Sequence, residues 1–227
     1  FMPQPRGRGG WIESGIGPEI EITADQVLHA IDTAAEVGAE VFFHDASWYA
    51  PPKSHWWSTV GDWQVDRQRF PQGLKPFRER VHSKGMLWGL WMDAERIGSE
   101  SRVAREHPEW IVVTYDGQRQ AGGWLDLTNP AAARWMEEQI IRVIEENELE
   151  FFRLDHNISN PGPGFRMMRD GFVENGYWRY YETLYAVYDR LRARFPDVIF
   201  ENCAGGGGRT DIGMVRRFSH TWVTDWQ

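Results

Sequence analysis

Apolar residues fall along this chain in two alternating rhythms. One consists of short unbroken runs that end abruptly in acids, amides or aromatics. Val41-Phe42-Phe43-His44 opens into Asp45-Ala46-Ser47-Trp48-Tyr49, and Met86-Leu87-Trp88-Gly89-Leu90-Trp91 into Met92-Asp93-Ala94-Glu95. Phe151-Phe152-Arg153-Leu154 delivers Asp155-His156-Asn157, and Val198-Ile199-Phe200-Glu201-Asn202-Cys203 enters Ala204-Gly205-Gly206-Gly207-Gly208-Arg209. Runs of this length predict strands buried on both faces. Thr221-Trp222-Val223-Thr224-Asp225 adds a further strand candidate, and Gly10-Trp11-Ile12-Glu13-Ser14 a weaker one.

The second rhythm is helical and lies between the runs. Thr23 with Gln26 forms a capping box before Val27, Ile31 and Ala34, and the stripe stops at Gly38. Leu74, Phe77 and Val81 mark a helix ending at Gly85. Asn129 as N-cap and Pro130 at the first position start a helix carrying Trp135, Ile140, Val143 and Ile144. After the loop Asn160-Pro161-Gly162-Pro163-Gly164 the pattern predicts another helix directly, with Leu184, Tyr188, Leu191 and Phe195, and a short one follows from about Thr210 to Arg217. Between Ser99 and Asn129 the repeat is broken by a predicted hairpin, Ile111 to Tyr115 against Trp124 to Leu127, around Asp116-Gly117.

Strand and helix in strict alternation, with polar residues at strand ends, predict an α/β fold of the (β/α)8 TIM-barrel type whose site lies on that face. About six strands fall short of the eight that close such a barrel. The expectation is therefore one catalytic barrel domain over residues 1–227 that lacks its last units. An open wall exposes strand edges, so the chain by itself is expected to be poorly soluble and inactive.

Composition narrows the partners. A net charge of -8 argues against nucleic acid and anionic membrane surfaces. No apolar run approaches the roughly 20 residues needed to span a bilayer. One cysteine, Cys203, excludes an internal disulfide and leaves the compartment open, cytoplasmic or extracellular. Thirteen tryptophans, several beside carboxylates, suit sugar rings with their apolar faces and polar edges. The competing reading is that most of these indoles are core.

Glycosidic bond cleavage uses two carboxyl groups flanking the anomeric carbon. Strand ends two steps apart in a barrel can supply them, which pairs Asp155 as nucleophile with Asp225 as acid/base. The alternative for either is a helix cap or an arginine partner. Gly205 to Gly208 lack the Lys-Ser/Thr ending of a phosphate loop, so they read instead as a place where backbone approaches a sugar. Cys203 is either a buried small apolar residue or part of the site, and not a reactive thiol. Arg209 and Asp211 read as a structural ion pair, with substrate contact as the alternative. His156, adjacent to an inward-pointing residue, reads as packing outside the barrel or as a ligand contact.

Several stretches occur together in the order of one family: Asp45-Ala46-Ser47-Trp48-Tyr49, Gly61-Asp62-Trp63, Phe70-Pro71-Gln72-Gly73-Leu74, Gly89-Leu90-Trp91 with Glu95, and His107-Pro108-Glu109-Trp110. They continue with Leu125-Asp126-Leu127, Asp155 with Asn157, Glu201-Asn202-Cys203 with Gly206-Gly207-Gly208-Arg209 and Asp211, and Trp222-Val223-Thr224-Asp225. Together they resemble the catalytic barrel of glycoside hydrolase family 36, the melibiase-type alpha-galactosidases. The resemblance implies a retaining exo-alpha-glycosidase without metal or organic cofactor. It places the nucleophile at Asp155 and the acid/base at Asp225. Substrate contacts fall on Asp45, Trp48, Trp91, Arg153, Asn157, Cys203, Gly206 and Trp222. The implied partner is an alpha-galactoside-type oligosaccharide or glycoconjugate, in a protein with β domains on both flanks and often homo-oligomeric.

The departures concern specificity. Arg153 stands where many members carry lysine, Ala46 where many carry a second aspartate, and Asp93-Ala94-Glu95 where Glu-Pro-Glu is commoner. The family's arginine before Leu-Asp-Leu falls on Arg119 or Gln120. A guanidinium fork donates in other directions than an ammonium, so the sugar recognised can differ. An alpha-N-acetylgalactosaminidase, a raffinose- or stachyose-synthase-like transferase, and a carbohydrate-binding barrel without turnover stay open as alternatives to alpha-galactoside hydrolysis.

Overall fold

The computed structural model describes residues 22–119, 123–157 and 166–225. The first strand candidate, Gly10 to Ser14, and the loop Asn160 to Gly164 lie outside them.

Helix α1 (Ala24–Glu36) opens with the capping box of Thr23 and Gln26, buries Val27 and Ile31, and ends before Gly38, whose φ of 80° favours a residue without Cβ. It leads into β1 (Val41–His44). Helix α2 (Lys75–Ser83) buries Phe77 and Val81 and precedes β2 (Leu87–Met92). A short α3 (Arg102–Glu106) is capped by Ser101, and α4 (Pro130–Glu146) by Asn129. Strand β3 spans Phe151–Leu154. An antiparallel pair, β4 (Arg166–Arg169) and β5 (Phe172–Asn175), precedes α5 (Tyr177–Arg194). Strand β6 (Ile199–Asn202), α6 (Ile212–Val215) and β7 (His220–Thr221) complete the described elements.

Five of these strands form one parallel sheet in the order β1-β2-β3-β6-β7, the hairpin β4-β5 standing apart. Each neighbour follows its predecessor with helical crossovers between them, which is the wall of a (β/α) barrel. The register sorts the side chains. His44, Leu90, Phe152 and Phe200 are paired across four strands and face the helices, and His44 stacks on Phe77 of α2. Phe152 and Phe200 are fully buried, each stabilising the fold by about 1.5–3 kcal/mol. Trp91, Arg153, Glu201 and His220 form the opposite row, inside the barrel. Beneath it Gly89 lies between Phe43 and Phe151, where an added Cβ would meet the Phe151 ring at 2.8 Å.

Three expectations are corrected. The chain after the Gly/Pro loop does not enter a helix directly: β4 and β5 intervene, turning at Asp170 and Gly171, both with positive φ. The predicted 111–127 hairpin is reduced to isolated antiparallel bridges, Ile111 with Leu125 and Val113 with Arg119. The last strand is two residues long, because after Trp222 donates its backbone N–H to the Asn202 carbonyl the chain turns away from the sheet.

Candidate active site

The loops that leave the C-terminal ends of β3 and β6 converge on Asp155, beside Trp91 of β2. This carboxylate is 7% exposed, yet both its oxygens are bound. Oδ1 accepts backbone N–H bonds from His156 at 2.8 Å, Ala204 at 3.0 Å and Gly205 at 2.9 Å. Oδ2 accepts from the Trp91 indole at 3.0 Å and the Asn157 carboxamide at 2.7 Å. Burial opposes the charge, but the donors from Gly205, Trp91, Asn157 and His156 outweigh it and hold the group below the ordinary aspartate value. Asp155 is thus an ionised, immobilised carboxylate.

The Gly-rich loop owes this role to its backbone. Ala204, Gly205, Gly206 and Gly207 all have positive φ, at 95°, 54°, 80° and 91°. The first two turn their N–H groups onto Asp155. Gly206 leaves room for Asp225, since a Cβ there would stand 2.9 Å from the Asp225 carboxyl carbon. One loop therefore touches both candidate catalytic acids. Asp225 itself is exposed, and its Oδ1 accepts the Trp222 indole N–H at 2.8 Å.

Arg153 lies inside the barrel, two residues before Asp155 on the same strand. Its Nη1 donates to Glu201 Oε1 at 2.9 Å and its Nη2 to Cys203 Sγ at 3.3 Å, while the guanidinium stacks between Phe43 and Trp222 at 5.0 and 4.6 Å. Burial opposes this charge too; the carboxylates of Glu201, Asp45 and Asp155 restore it and raise its pKa. Glu201 also meets His220 Nε2 at 2.6 Å. Desolvation and the nearby Asp155 charge push the Cys203 thiol up to about 12, so it stays protonated.

The aromatic candidates occupy different levels. Trp91 touches the nucleophile candidate, and Trp56 packs edge-on against it at 5.0 Å. Trp48 sits behind, 1% exposed, its indole donating to the Trp91 carbonyl at 2.9 Å. Asp45 is exposed at the exit of β1, its Oδ1 accepting the Ala46 N–H at 2.6 Å. Arg119 folds back onto the Pro108 and Ile111 carbonyls, and Gln120 lies outside the described residues.

The sequence reading missed a second, fully buried layer. Arg209 does not pair with Asp211: its two Nη atoms grip Glu95 at 2.9 and 2.7 Å, and the Tyr180 hydroxyl donates to the same carboxylate at 2.6 Å. Burial would raise Glu95, but Arg209 and the Tyr180 hydroxyl hold it low. Asp211 instead caps α6 and accepts from Tyr185. His156 packs on Trp124 at 4.8 Å, and desolvation lowers its pKa to about 4, so it is neutral. Glu95 and Arg209 were visible as motif residues; their partnership and Tyr180 were not. Among the described residues no three His, Cys, Asp or Glu side chains group as a metal site.

Comparison with known proteins agrees with this geometry. The Melibiase family model matches residues 14–227. Alpha-galactosidase 1 of Pediococcus pentosaceus is 31% identical over 202 residues, covering 86% of this chain and 27% of that protein. The alpha-galactosidase AgaA of Geobacillus stearothermophilus is 29% identical over 208 residues, covering 90% of this chain and 28% of its own length. The crystal structure of the GH36 enzyme AgaA superposes with a TM-score of 0.82 at 28% identity, covering 91% of this chain and 29% of that one. A variant of it in complex with raffinose gives 0.81 at 27%, with the same coverage. The chain spans less than a third of the length of these relatives. A family model that runs across nearly all of a chain whose barrel wall matches that of alpha-galactosidases leaves one placement: the chain belongs to the Melibiase family, glycoside hydrolase family 36.

Proposed function

We propose that the protein carrying this chain is a retaining exo-alpha-glycosidase acting on terminal alpha-linked galactose, with Asp155 as nucleophile and Asp225 as acid/base. The observation that carries the reading is the environment of Asp155: a buried carboxylate fixed by five donors at the barrel's C-terminal edge, three on Oδ1 and two on Oδ2. Such a group keeps its charge and its place, as a nucleophile requires. Asp225, packed against the Gly206 turn next to the two residues that bind Asp155, is placed to exchange protons. In the first step Asp225 gives its proton to the glycosidic oxygen while an Asp155 oxygen bonds the anomeric carbon and the aglycone leaves. In the second, ionised Asp225 takes a proton from water, whose oxygen displaces Asp155 from that carbon.

The family membership and the oligosaccharide bound by the AgaA variant support an oligosaccharide substrate. Asp45, Trp91, Asn157 and the Gly206 turn are the proposed sugar contacts. Trp48 contributes by holding Trp91, and Trp222 by covering Arg153 and binding Asp225.

The test uses the protein at its full natural length, a panel of 4-nitrophenyl alpha-glycosides, and NMR of the first-formed sugar. Release of alpha-galactose from the galactoside, abolished in Asp155→Asn, supports the reading. Release of the beta anomer would overturn the double displacement. Oligosaccharide formed with an acceptor in place of free sugar would make the protein a transferase, and binding without cleavage a lectin-like barrel.

A further inference from the structure

Two carboxyl groups face each other across β2 and β3, and they are treated in opposite ways. Met92 and Leu154 are the last registered pair, so Asp93 and Asp155 stand one step beyond it on strands about 4.8 Å apart. Asp155 takes five hydrogen bonds. Asp93 is 0% exposed and accepts at Oδ2 from the Asn157 backbone N–H at 3.0 Å, while its Oδ1 is buried without a partner among the described residues. Asn157 is the link, since its side-chain amide donates to Asp155 Oδ2 at 2.7 Å. A buried charge with a bare oxygen beside a second carboxylate is costly, whereas a neutral carboxylic acid there is tolerated.

We propose that Asp93 is a positioning residue for the nucleophile: in its uncharged form it accepts the Asn157 N–H and thereby aims the Asn157 carboxamide at Asp155. The charged and titratable groups around it agree. Burial and the Asp155 charge raise Asp93 to about 8, against the opposing effects of the Asn157 N–H and Arg96; Glu95 adds to the rise but is itself neutralised by Arg209. Tyr49 and Tyr188, the other titratable groups that sense Asp93, are both raised well above 10.0 by burial and stay neutral. A single negative charge thus resides in the pair, on Asp155, where the donors are. Formation of the glycosyl ester would remove that charge without disturbing the Asn157 anchor.

The inference rests on the glycosidase reading for its kinetic consequence, not for its structural one. In the full-length protein, Asp93→Ala is expected to lower kcat at least tenfold with KM little changed and to move the acid limb of the pH profile upward. Asp93→Asn, which restores a neutral acceptor, recovers most of that loss; Asn157→Ala, which also removes a proposed sugar contact, raises KM but lowers kcat as Asp93→Ala does, and the double variant loses no further kcat. Equal loss in Asp93→Asn and Asp93→Ala would mean that the charge is needed, and would overturn the proposal. An unmoved acid limb in Asn157→Ala would do the same.

Thermal melts supply a readout independent of activity and of the fate of Asp93→Ala. A carboxyl raised from 3.8 to about 8 contributes stability that is full below 3.8 and lost as pH rises through about 8. The melting temperature of the parent protein should therefore fall relative to Asp93→Asn between these pH values. A constant difference overturns the neutral Asp93 even if no alpha-glycoside is cleaved, which would itself overturn only the proposed function.

Discussion

Asp155 and Asp225 flank the same glycine turn but live in different chemistry. Asp155 is buried, and backbone and amide donors from the loops after β3 and β6 converge on it with the Trp91 indole of β2. Asp225 packs against Gly206, and its Oδ1 accepts an indole N–H from its own loop. Under the proposed roles, the difference teaches how a barrel edge divides labour. A nucleophile must keep one charge and one position until it reacts, so it is enclosed by fixed dipoles. A group that passes a proton in each half-cycle needs a rim position from which it reaches both the leaving oxygen and water.

Removing the enclosed member should do the most damage. Asp155→Asn is expected to lower kcat by on the order of 10⁴-fold or more, read with an activated aryl galactoside. Asp225→Ala should cost about 10²–10⁴-fold with a natural oligosaccharide and far less with a 4-nitrophenyl leaving group, which departs without a proton. Equal losses on both substrates would erase the contrast between the two acids. The next effect is on stability. Arg209→Ala strands the buried Glu95 carboxylate and should destabilise by about 3–5 kcal/mol in a denaturant melt.

Trp91→Phe tests the enclosure donor by donor. A hydrogen bond to a charged group contributes about 1.5–3 kcal/mol, so its loss should raise the acid limb of kcat/KM by about one to two pH units. The sign follows from Asp155 being held below its ordinary value: catalysis and stability persist above the unfolded pKa and are lost as pH falls through the lower folded one. Glu95, also lowered, adds stability lost on the same side. Arg153→Lys is the mildest change. It keeps the charge beside Glu201 but not the fork to Cys203, and a shift of less than about tenfold in selectivity among alpha-glycosides, without loss of turnover, is the expected outcome.

The parts legible beforehand are those in which neighbours along the chain decide the outcome. The Thr23 capping box, the Asn129–Pro130 helix start and the apolar runs at Phe43 and Phe152 each rest on a few adjacent residues. The Asp170-Gly171 turn carries a hairpin signal of the same kind, but the long helical stripe that follows masks it. Asp155 stands out because it ends a buried strand, and Asp225 because it closes a familiar motif.

What no local pattern could give is the set of partners. Arg209 has Asp211 close by along the chain, yet it binds Glu95, 114 residues away, because β2 and the β6 loop end on the same rim. Tyr180 reads as one more apolar helix position until its hydroxyl meets the same carboxylate. The sequence by itself determined the strands, the helices and the acids at their ends, since these follow from spacing and side-chain chemistry. Only the tertiary structure decided which acid is ionised and which is neutral, because that depends on the donors and desolvation that distant loops bring to each oxygen.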